Sequence, residues 1–157
     1  MHWKKIFFSA LIWVQRTLQK LLGASSVGVR ILVINDKQEV LLVEHTYIEG
    51  WHFPGGGVKH QEPLHSAAKR ELFEETGVLA QGDLTLFHVY VHNIHGVTDY
   101  PSLFISKHFE VTSQKKHSPE IKAVRWFPLA HLPTDITQNT YQRIQEYLGK
   151  SPIQDRW

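Results

Sequence analysis

The sequence predicts an α+β fold in which helices pack on a mixed β-sheet. Short β-branched runs lie before and after a central helix, and a second helix follows them near the end of the chain. No repeat, low-complexity segment or long linker divides residues 25–148. A chain of 157 residues with 42% hydrophobic and 20% charged residues is typical of one globular domain. We expect this domain at residues 25–150, between an N-terminal helix at 1–24 and a polar tail at 151–157.

The N-terminal segment, residues 1–24, is predicted to form an amphipathic helix. Its apolar residues recur at spacings of three and four, at Trp3, Ile6, Phe7, Ala10, Leu11, Val14, Leu18, Leu21 and Leu22. Gln15, Arg16 and Lys20 interrupt the apolar run well before the ~20 residues that a membrane span needs. The helix could pack on its own domain or on a second copy in a homodimer. It could also dock on a membrane surface through residues 3–22, or serve as an export signal.

The domain itself is predicted to begin with a β-hairpin. "VGVRILVIND" (27–36) and "EVLLVEH" (39–45) are rich in β-branched residues, and the cluster Asn35-Asp36-Lys37-Gln38 between them favours a turn. We therefore expect two antiparallel strands that pair with each other.

A helix is predicted from Pro63 to Thr76, because proline suits the first turn and Gly77 suits the end. Its inward residues at helical spacing are Leu64, Ala67, Ala68, Leu72 and Phe73. Further strands are expected in "LTLFHVYVHN" (84–93), "SLFISKHFEV" (102–111) and "AVRWFP" (123–128).

The last helix is predicted from about Thr134 to Leu148. Its apolar side consists of Ile136, Tyr141, Ile144, Tyr147 and Leu148. The order of strands, helix, strands and helix favours a layered sandwich over a doubly wound parallel sheet.

Composition excludes several classes of function. Cysteine is absent, so disulfides, thiolate zinc sites and cysteine nucleophiles are excluded, and this usage is compatible with a cytoplasmic protein. A net charge of +2 without a block of like charges does not indicate nucleic-acid binding. Eleven histidines leave imidazole chemistry open. We expect a cytoplasmic protein, peripheral to a membrane if the N-terminal helix docks there.

Three acids crowd the C-terminal half of the central helix. Glu71, Glu74 and Glu75 are spaced so that their Cβ atoms lie ~5–6 Å apart on one face, where their charges repel. The helix macrodipole also disfavours anions at this end, and Arg70 offsets only part of the charge. A divalent cation explains the cluster better than a solvated acidic face does. Carboxylate oxygens suit Mg²⁺, with Mn²⁺ as the alternative.

Three glycines, Gly55, Gly56 and Gly57, precede this helix after "WHFP" (51–54). Because they lack Cβ atoms, the loop can adopt positive φ angles and bring backbone N–H groups close to an anionic ligand. A tight turn is the simpler interpretation. We expect the three glycines to bind substrate.

Gly56, Glu62 and "RELFEETGV" (70–78) together resemble the signature of the Nudix hydrolases at every fixed position. The resemblance implies an α/β/α sandwich with a mixed sheet. It also implies metal-dependent hydrolysis of a nucleoside diphosphate linked to another group, in which water attacks phosphorus.

The same resemblance implies roles for individual residues. Glu71, Glu74 and Glu75 would be metal ligands and, with Arg70, the catalytic residues. Arg70 would orient one of the glutamates by hydrogen bonding, and Glu62 would support the site. Arg70 and Glu74 could equally form an ordinary helix salt bridge of little energetic value.

A fourth metal ligand is expected outside the helix. Glu120 lies in "HSPEIKAVRWFPLAHLP" (117–133), and domains similar to this one often carry an acid just before this strand. The alternative is an exposed residue that follows Pro119. The general base stays open among a helix glutamate, another glutamate and a histidine.

Other side chains could contact substrate. His88, His92 and His95 alternate with apolar residues and then enter a loop, although most are expected to be surface or core residues. Tyr47 and Trp51 could stack on a base, and Trp51 could instead belong to the core.

The sequence does not specify the substrate beyond a nucleoside-diphosphate-type small molecule. Two alternatives to an enzyme stay open. The first is a non-catalytic module that senses a nucleotide, and the second is a protein that functions by docking its N-terminal helix on a membrane or a partner. The retention of Arg70, Glu71, Glu74 and Glu75 together favours the enzyme.

Overall fold

The computed structural model describes residues 25–94, 96–112 and 118–157. The predicted helix at 1–24 therefore lies outside the described residues. The strands are β1 (Ser26–Val33), β2 (Glu39–His45), β3 (Trp51–His52), β4 (Val78–Ala80), β5 (Thr85–Val89), β6 (His92–Ile94), β7 (Val97–Ser106), β8 (Phe109–Val111) and β9 (Ile121–Pro128). The helices are α1 (Leu64–Thr76) and α2 (Gln138–Tyr147). No helix in the described ranges has the length and apolar character needed to cross a bilayer.

The strands form a mixed sheet, a separate antiparallel sheet and a two-stranded ribbon. β1 runs parallel to β7, while β5 and β6 pair with β7 in the antiparallel sense. β2 lies between β3 and β9 in the second sheet, and β4 pairs with β8 in a two-stranded ribbon. The predicted mixed sheet is confirmed.

The predicted hairpin of β1 and β2 is wrong. The turn does form, because the Asn35 side-chain oxygen accepts hydrogen bonds from the N–H groups of Lys37 and Glu39 at 3.0 Å each. Beyond it, only Ile34 and Val40 form a bridge, and the two strands then diverge into different sheets. Turn chemistry reverses the chain locally, but strands that are apolar on both faces gain more by pairing with distant strands inside a covered sheet.

Helices cover the sheets on both sides. Alternate residues of β1 face opposite layers because successive side chains in a strand point to opposite faces. One core cluster joins β1 to α1 through Val29, Ile31, Val33, Ala67, Ala68 and Leu72. The other joins β1 and β2 to α2 through Leu32, Ile34, Leu42, Trp51, Phe53 and Ile144. The architecture is the expected α/β/α sandwich.

The helix ends follow local signals to different degrees. Helix α1 matches its prediction, and Gly77 ends it in the left-handed region at φ 72°, donating its N–H to the Phe73 carbonyl at 2.9 Å. Helix α2 begins at Gln138, later than predicted, because Ile136 is drawn into a bridge with Trp51. Tyr141, predicted to face inward, is 41% exposed.

A buried polar network fastens the C-terminal residues to the domain. The side chains of Arg143 and Glu146 form a salt bridge of 2.7 Å and are almost fully buried. The Tyr90 hydroxyl donates to the other Glu146 oxygen at 2.8 Å, and the Arg143 guanidinium lies 4.4 Å from the Tyr90 ring centroid. Arg143 also donates to the Arg156 carbonyl at 2.8 Å, and Trp157 donates its N–H to the Val91 carbonyl at 3.0 Å. The tail thus packs on the domain.

Candidate active site

Helix α1 directs two carboxylates, those of Glu71 and Glu75, toward the glycine loop. The two residues are one helical turn apart, and Glu75 is only 6% exposed. Its carboxylate accepts a hydrogen bond of 2.8 Å from the Gly55 N–H. The Glu71 carboxylate lies so close to Gly56 that a Cβ atom there would stand 2.5 Å from the carboxylate carbon. A side chain at position 56 would therefore displace the Glu71 carboxylate from its observed position.

The glycine loop is anchored on β1. Pro54 and Gly56 accept hydrogen bonds of 2.9 Å from the N–H groups of Ile31 and Val29. Gly55 has a φ of 152°, and a Cβ atom there would lie 2.1 Å from the Val29 carbonyl oxygen. The loop thus uses glycine for close backbone approach. The Gly55 N–H, expected to face substrate, instead holds Glu75.

Arg70 connects the loop to the carboxylates. Its Nε and Nη2 atoms each lie 2.7 Å from an oxygen of Glu62, which is a bidentate pair. Nη1 donates to Glu71 at 2.6 Å, and Nη2 donates to the Gly57 carbonyl at 3.1 Å. The hydrogen bond from Arg70 lowers the pKa of Glu62 to about 2, and the same bond raises the pKa of Arg70. Arg70 therefore fixes the orientation of Glu71, and Glu62 fixes Arg70.

Glu74 differs from the other two helix glutamates. Its side chain is 50% exposed, and its nearest cation is Nη1 of Arg70 at 3.4 Å. The structure brings Glu71 and Glu75 together and leaves Glu74 on the solvent side. Glu74 shares Nη1 of Arg70 with Glu71, and its expected role as a metal ligand stays a prediction.

Glu120 joins the pair from another part of the chain. Its main chain is tied to the end of β2, because Thr46 donates its N–H to the Glu120 carbonyl at 2.8 Å. Burial raises the pKa of Glu120, and the charge of Glu71 raises it further. Burial raises the pKa of Glu75 to about 8, with further contributions from Glu71 and Glu120. These shifts indicate that the three carboxylates share one electrostatic environment.

The donor set fits a hard divalent cation. Within the described ranges, no three acidic or histidine side chains stand close enough together to enclose an ion. Mg²⁺ does not require such a cage, because it usually binds one or two carboxylates and completes its shell with water and substrate phosphates. Buried carboxylates that repel one another would be stabilised by such an ion. Glu71 and Glu75 are the two residues that would hold it, and Glu120 lies in the same electrostatic environment.

A second group of side chains lies beside the carboxylates. It consists of Arg30, His45, Tyr47 and His52, and we call it the basic wall. Burial raises the pKa of Tyr47 to about 12, and the charges of Glu120 and Glu75 raise it further, so the phenol lies near them. The His45 ring centroid lies 5.3 Å from that of Tyr47 and 5.4 Å from that of His52. Sequence reasoning missed Arg30 and His45. The available signal was a lone arginine inside the apolar run of β1.

The remaining predicted contacts lie elsewhere or outside the described residues. Trp51 is 5% exposed and packs edge-to-face on Phe127 at 4.8 Å, so it belongs to the core. His88 packs edge-to-face on Tyr90 at 4.7 Å, in the C-terminal network. His92 pairs with Asp99 of β7 in register. His95 is not among the described residues.

The raised pKa of Glu75 predicts a pH-dependent stability without metal. Its pKa rises from 4.5 to about 8, so the folded protein holds a proton that the unfolded chain has lost between these values. Stability should therefore fall as pH rises through this window, and Mg²⁺ or Mn²⁺ should offset the loss by mass action. Thermal melts from pH 5 to pH 8.5, with EDTA and with each metal, measure both effects.

Two variants isolate this effect from other titrating groups. Glu75→Gln should melt higher than the wild type in EDTA at pH 8 and respond less to metal, because it removes one repelling charge. Glu74→Gln, at an exposed position, should keep the wild-type pH profile. Parallel wild-type and Glu75→Gln profiles in EDTA would contradict the prediction.

Comparisons with known proteins show the family to which the chain belongs. The family model for the NUDIX domain matches residues 24–147. The chain is 32% identical over 139 residues to "Nudix hydrolase 8" of Arabidopsis thaliana, covering 82% of this chain and 37% of that protein. It is 27% identical over 133 residues to the "Putative 8-oxo-dGTP diphosphatase" of Bacillus subtilis (strain 168), covering 82% of each. A solved MutT NUDIX hydrolase from Burkholderia pseudomallei superposes with a TM-score of 0.68 at 25% identity, covering 77% of this chain and 96% of that one.

The chain spans 37% and 48% of the lengths of two Arabidopsis Nudix hydrolases that it matches. A NUDIX hydrolase structure from Nitrosomonas europaea, at 22% identity and a TM-score of 0.71, shares the fold over 85% of this chain and 92% of that one. The family model covers the glycine loop, helix α1 and both sheets. The chain therefore belongs to the Nudix family.

Proposed function

We propose that this protein is a metal-dependent hydrolase that cleaves a nucleoside diphosphate linked to another group. The observation that carries the proposal is the convergence of Glu71, Glu75 and Glu120 beside a glycine loop, with Arg70 held in place by Glu62. The similarity to a Bacillus protein named as a putative 8-oxo-dGTP diphosphatase supports a nucleotide substrate.

The chain's own residues hold and orient the carboxylates. Arg70 fixes Glu71 by a charge-assisted hydrogen bond, and the Gly55 N–H fixes Glu75. Because Glu75 is only 6% exposed, few solvent molecules can compete for its carboxylate oxygens. A bound Mg²⁺ would neutralise charge on the diphosphate and lower the pKa of a coordinated water.

The reaction is a substitution at phosphorus. The oxygen of water forms a bond to phosphorus while the anhydride P–O bond breaks, and the leaving phosphate keeps the electron pair of that bond. A carboxylate of the cluster accepts the proton that the water loses. The products are two phosphate compounds, with no oxidation or reduction.

An activity screen of the full chain tests this proposal. Nucleoside triphosphates, nucleotide sugars and dinucleoside polyphosphates are incubated with Mg²⁺, Mn²⁺ or EDTA, and the products are followed by phosphorus NMR in ¹⁸O-labelled water. We expect metal-dependent turnover of at least one class, with the label in a phosphate product. Tight nucleotide binding without turnover of any class would instead indicate a nucleotide-sensing module.

A further inference from the structure

Arg30, on strand β1, lies directly behind the glycine loop. A Cβ atom at Gly55 would stand 3.0 Å from the Arg30 Cα atom, and the Gly55 N–H is the group that holds Glu75. The positive charge of Arg30 opposes the rise in the pKa of Glu75 that burial causes. Arg30 therefore lies close to the carboxylates although it comes from a different element.

The guanidinium of Arg30 has unused donors. It donates one hydrogen bond from Nη1 to the Val29 carbonyl at 2.7 Å, out of the five N–H groups that a guanidinium carries. None of the ion pairs among the described residues involves Arg30. Arg70, by contrast, is saturated by Glu62, Glu71 and Gly57. A half-buried guanidinium without an anion favours the binding of an anionic ligand.

Two histidines of the basic wall, His45 and His52, lie beside Arg30. Burial lowers the pKa of His45 to about 4, with further contributions from His52 and Arg30, and burial also lowers the pKa of His52. Both imidazoles are therefore neutral near pH 7, and each carries one N–H group. The N–H group of His52 is on Nε2 and donates to the Glu49 carbonyl at 3.1 Å. The Nδ1 atom of His45 is buried and has no hydrogen-bond partner among the described residues. This nitrogen is therefore an unmet hydrogen-bonding group next to Arg30.

We propose that Arg30, with His45 and His52 beside it, binds a phosphate group of the substrate near Glu71 and Glu75. This inference rests on the proposed function, because it assigns a further part of the same substrate. The charge of a Mg²⁺ ion held by two carboxylates is already balanced, so the negative charge of the diphosphate favours a further positive group. The planar guanidinium fork matches two phosphate oxygens at once, which an ammonium group does not.

Binding of methylenediphosphonate, a diphosphate analogue that cannot be hydrolysed at its P–C–P linkage, tests the proposal. Affinities are measured by calorimetry in Mg²⁺ for the wild type, Arg30→Gln and Arg30→Lys, with melting temperatures recorded in parallel. We expect Arg30→Gln to weaken binding by about 10- to 100-fold, the loss typical of hydrogen bonds to a charged group. Arg30→Lys should recover part of this loss, because it keeps the charge but not the fork.

A matched control removes an arginine charge elsewhere. Arg125 pairs with Leu42 in register whereas His52 pairs with Val43, so Arg125 lies on the opposite face of this sheet. Arg125→Gln should bind the analogue like the wild type. His45→Gln should weaken binding without changing the net charge, because His45 is neutral near pH 7.

The outcomes separate this inference from the proposed function. Equal affinity of wild type and Arg30→Gln for methylenediphosphonate overturns the phosphate site, even if the wild type hydrolyses nucleotides. An equal loss in Arg125→Gln also overturns it, because the effect would then be nonspecific charge. A wild type that binds the analogue through Arg30 but hydrolyses no substrate would refute the proposed function and leave the binding site standing.

Discussion

Replacement of Glu75 by glutamine is expected to lower the rate of hydrolysis by at least about 100-fold, because loss of a residue that merely supports a metal ligand already costs about 10- to 100-fold. Glutamine keeps the side-chain volume, and its carbonyl oxygen can still accept the Gly55 N–H that now bonds Glu75 at 2.8 Å. The substitution therefore removes one charge from the carboxylate cluster and leaves the fold intact. Turnover is measured with the best substrate of the screen over a range of Mg²⁺ concentrations.

Glu74→Gln is the matched control for this result. Glu74 has the same chemistry and lies on the same helix, but its side chain is half exposed and forms an ion pair with Arg70 at 3.4 Å. We expect its effect on turnover to be less than about 10-fold, since exposed ion pairs contribute little. Wild-type turnover of Glu75→Gln at limiting Mg²⁺ would remove Glu75 from the metal site.

Local signals made helix α1 predictable. Pro63 and Gly77 set its ends through the geometry of single residues, and both ends are observed within one residue of the prediction. The pairing of Glu71 with Glu75 follows from the helical period alone. The sequence pattern could not show that Glu74 faces solvent, because the width of the buried face depends on what packs against it.

Pairing between distant segments explains the failures. The Asn35 turn was recognisable, but the partners of β1 and β2 lie 73 to 89 residues away, in β7 and β9. Arg30 was overlooked for the same reason, because its neighbours come from β2 and the glycine loop. Glu120 was predicted only through the family resemblance. The position of Glu120 depends on a hydrogen bond between distant segments, in which the Thr46 N–H donates to the Glu120 carbonyl.

The buried salt bridge of Arg143 and Glu146 predicts the largest effect on stability. Glu146→Ala leaves the guanidinium of Arg143 buried without its carboxylate and deprives the Tyr90 hydroxyl of its acceptor. Breaking a buried pair by removing one partner costs about 3–5 kcal/mol. For a chain of this size, the melting temperature should fall by roughly 6–20 °C. Thermal and urea unfolding of the purified variant measure the loss.

Two further variants show whether burial of charge is the cause. Glu44→Ala breaks an exposed pair with Lys122, of 2.6 Å, and should cost less than about 1 kcal/mol. The double variant Arg143→Met with Glu146→Leu removes both charges and should recover much of the stability, because apolar side chains of similar volume often replace a buried ion pair without loss. A Glu146→Ala protein as stable as Glu44→Ala would mean that water reaches the pair. A double variant less stable than Glu146→Ala would mean that hydrogen bonding to the C-terminal residues, rather than the unpaired charge, dominates the network.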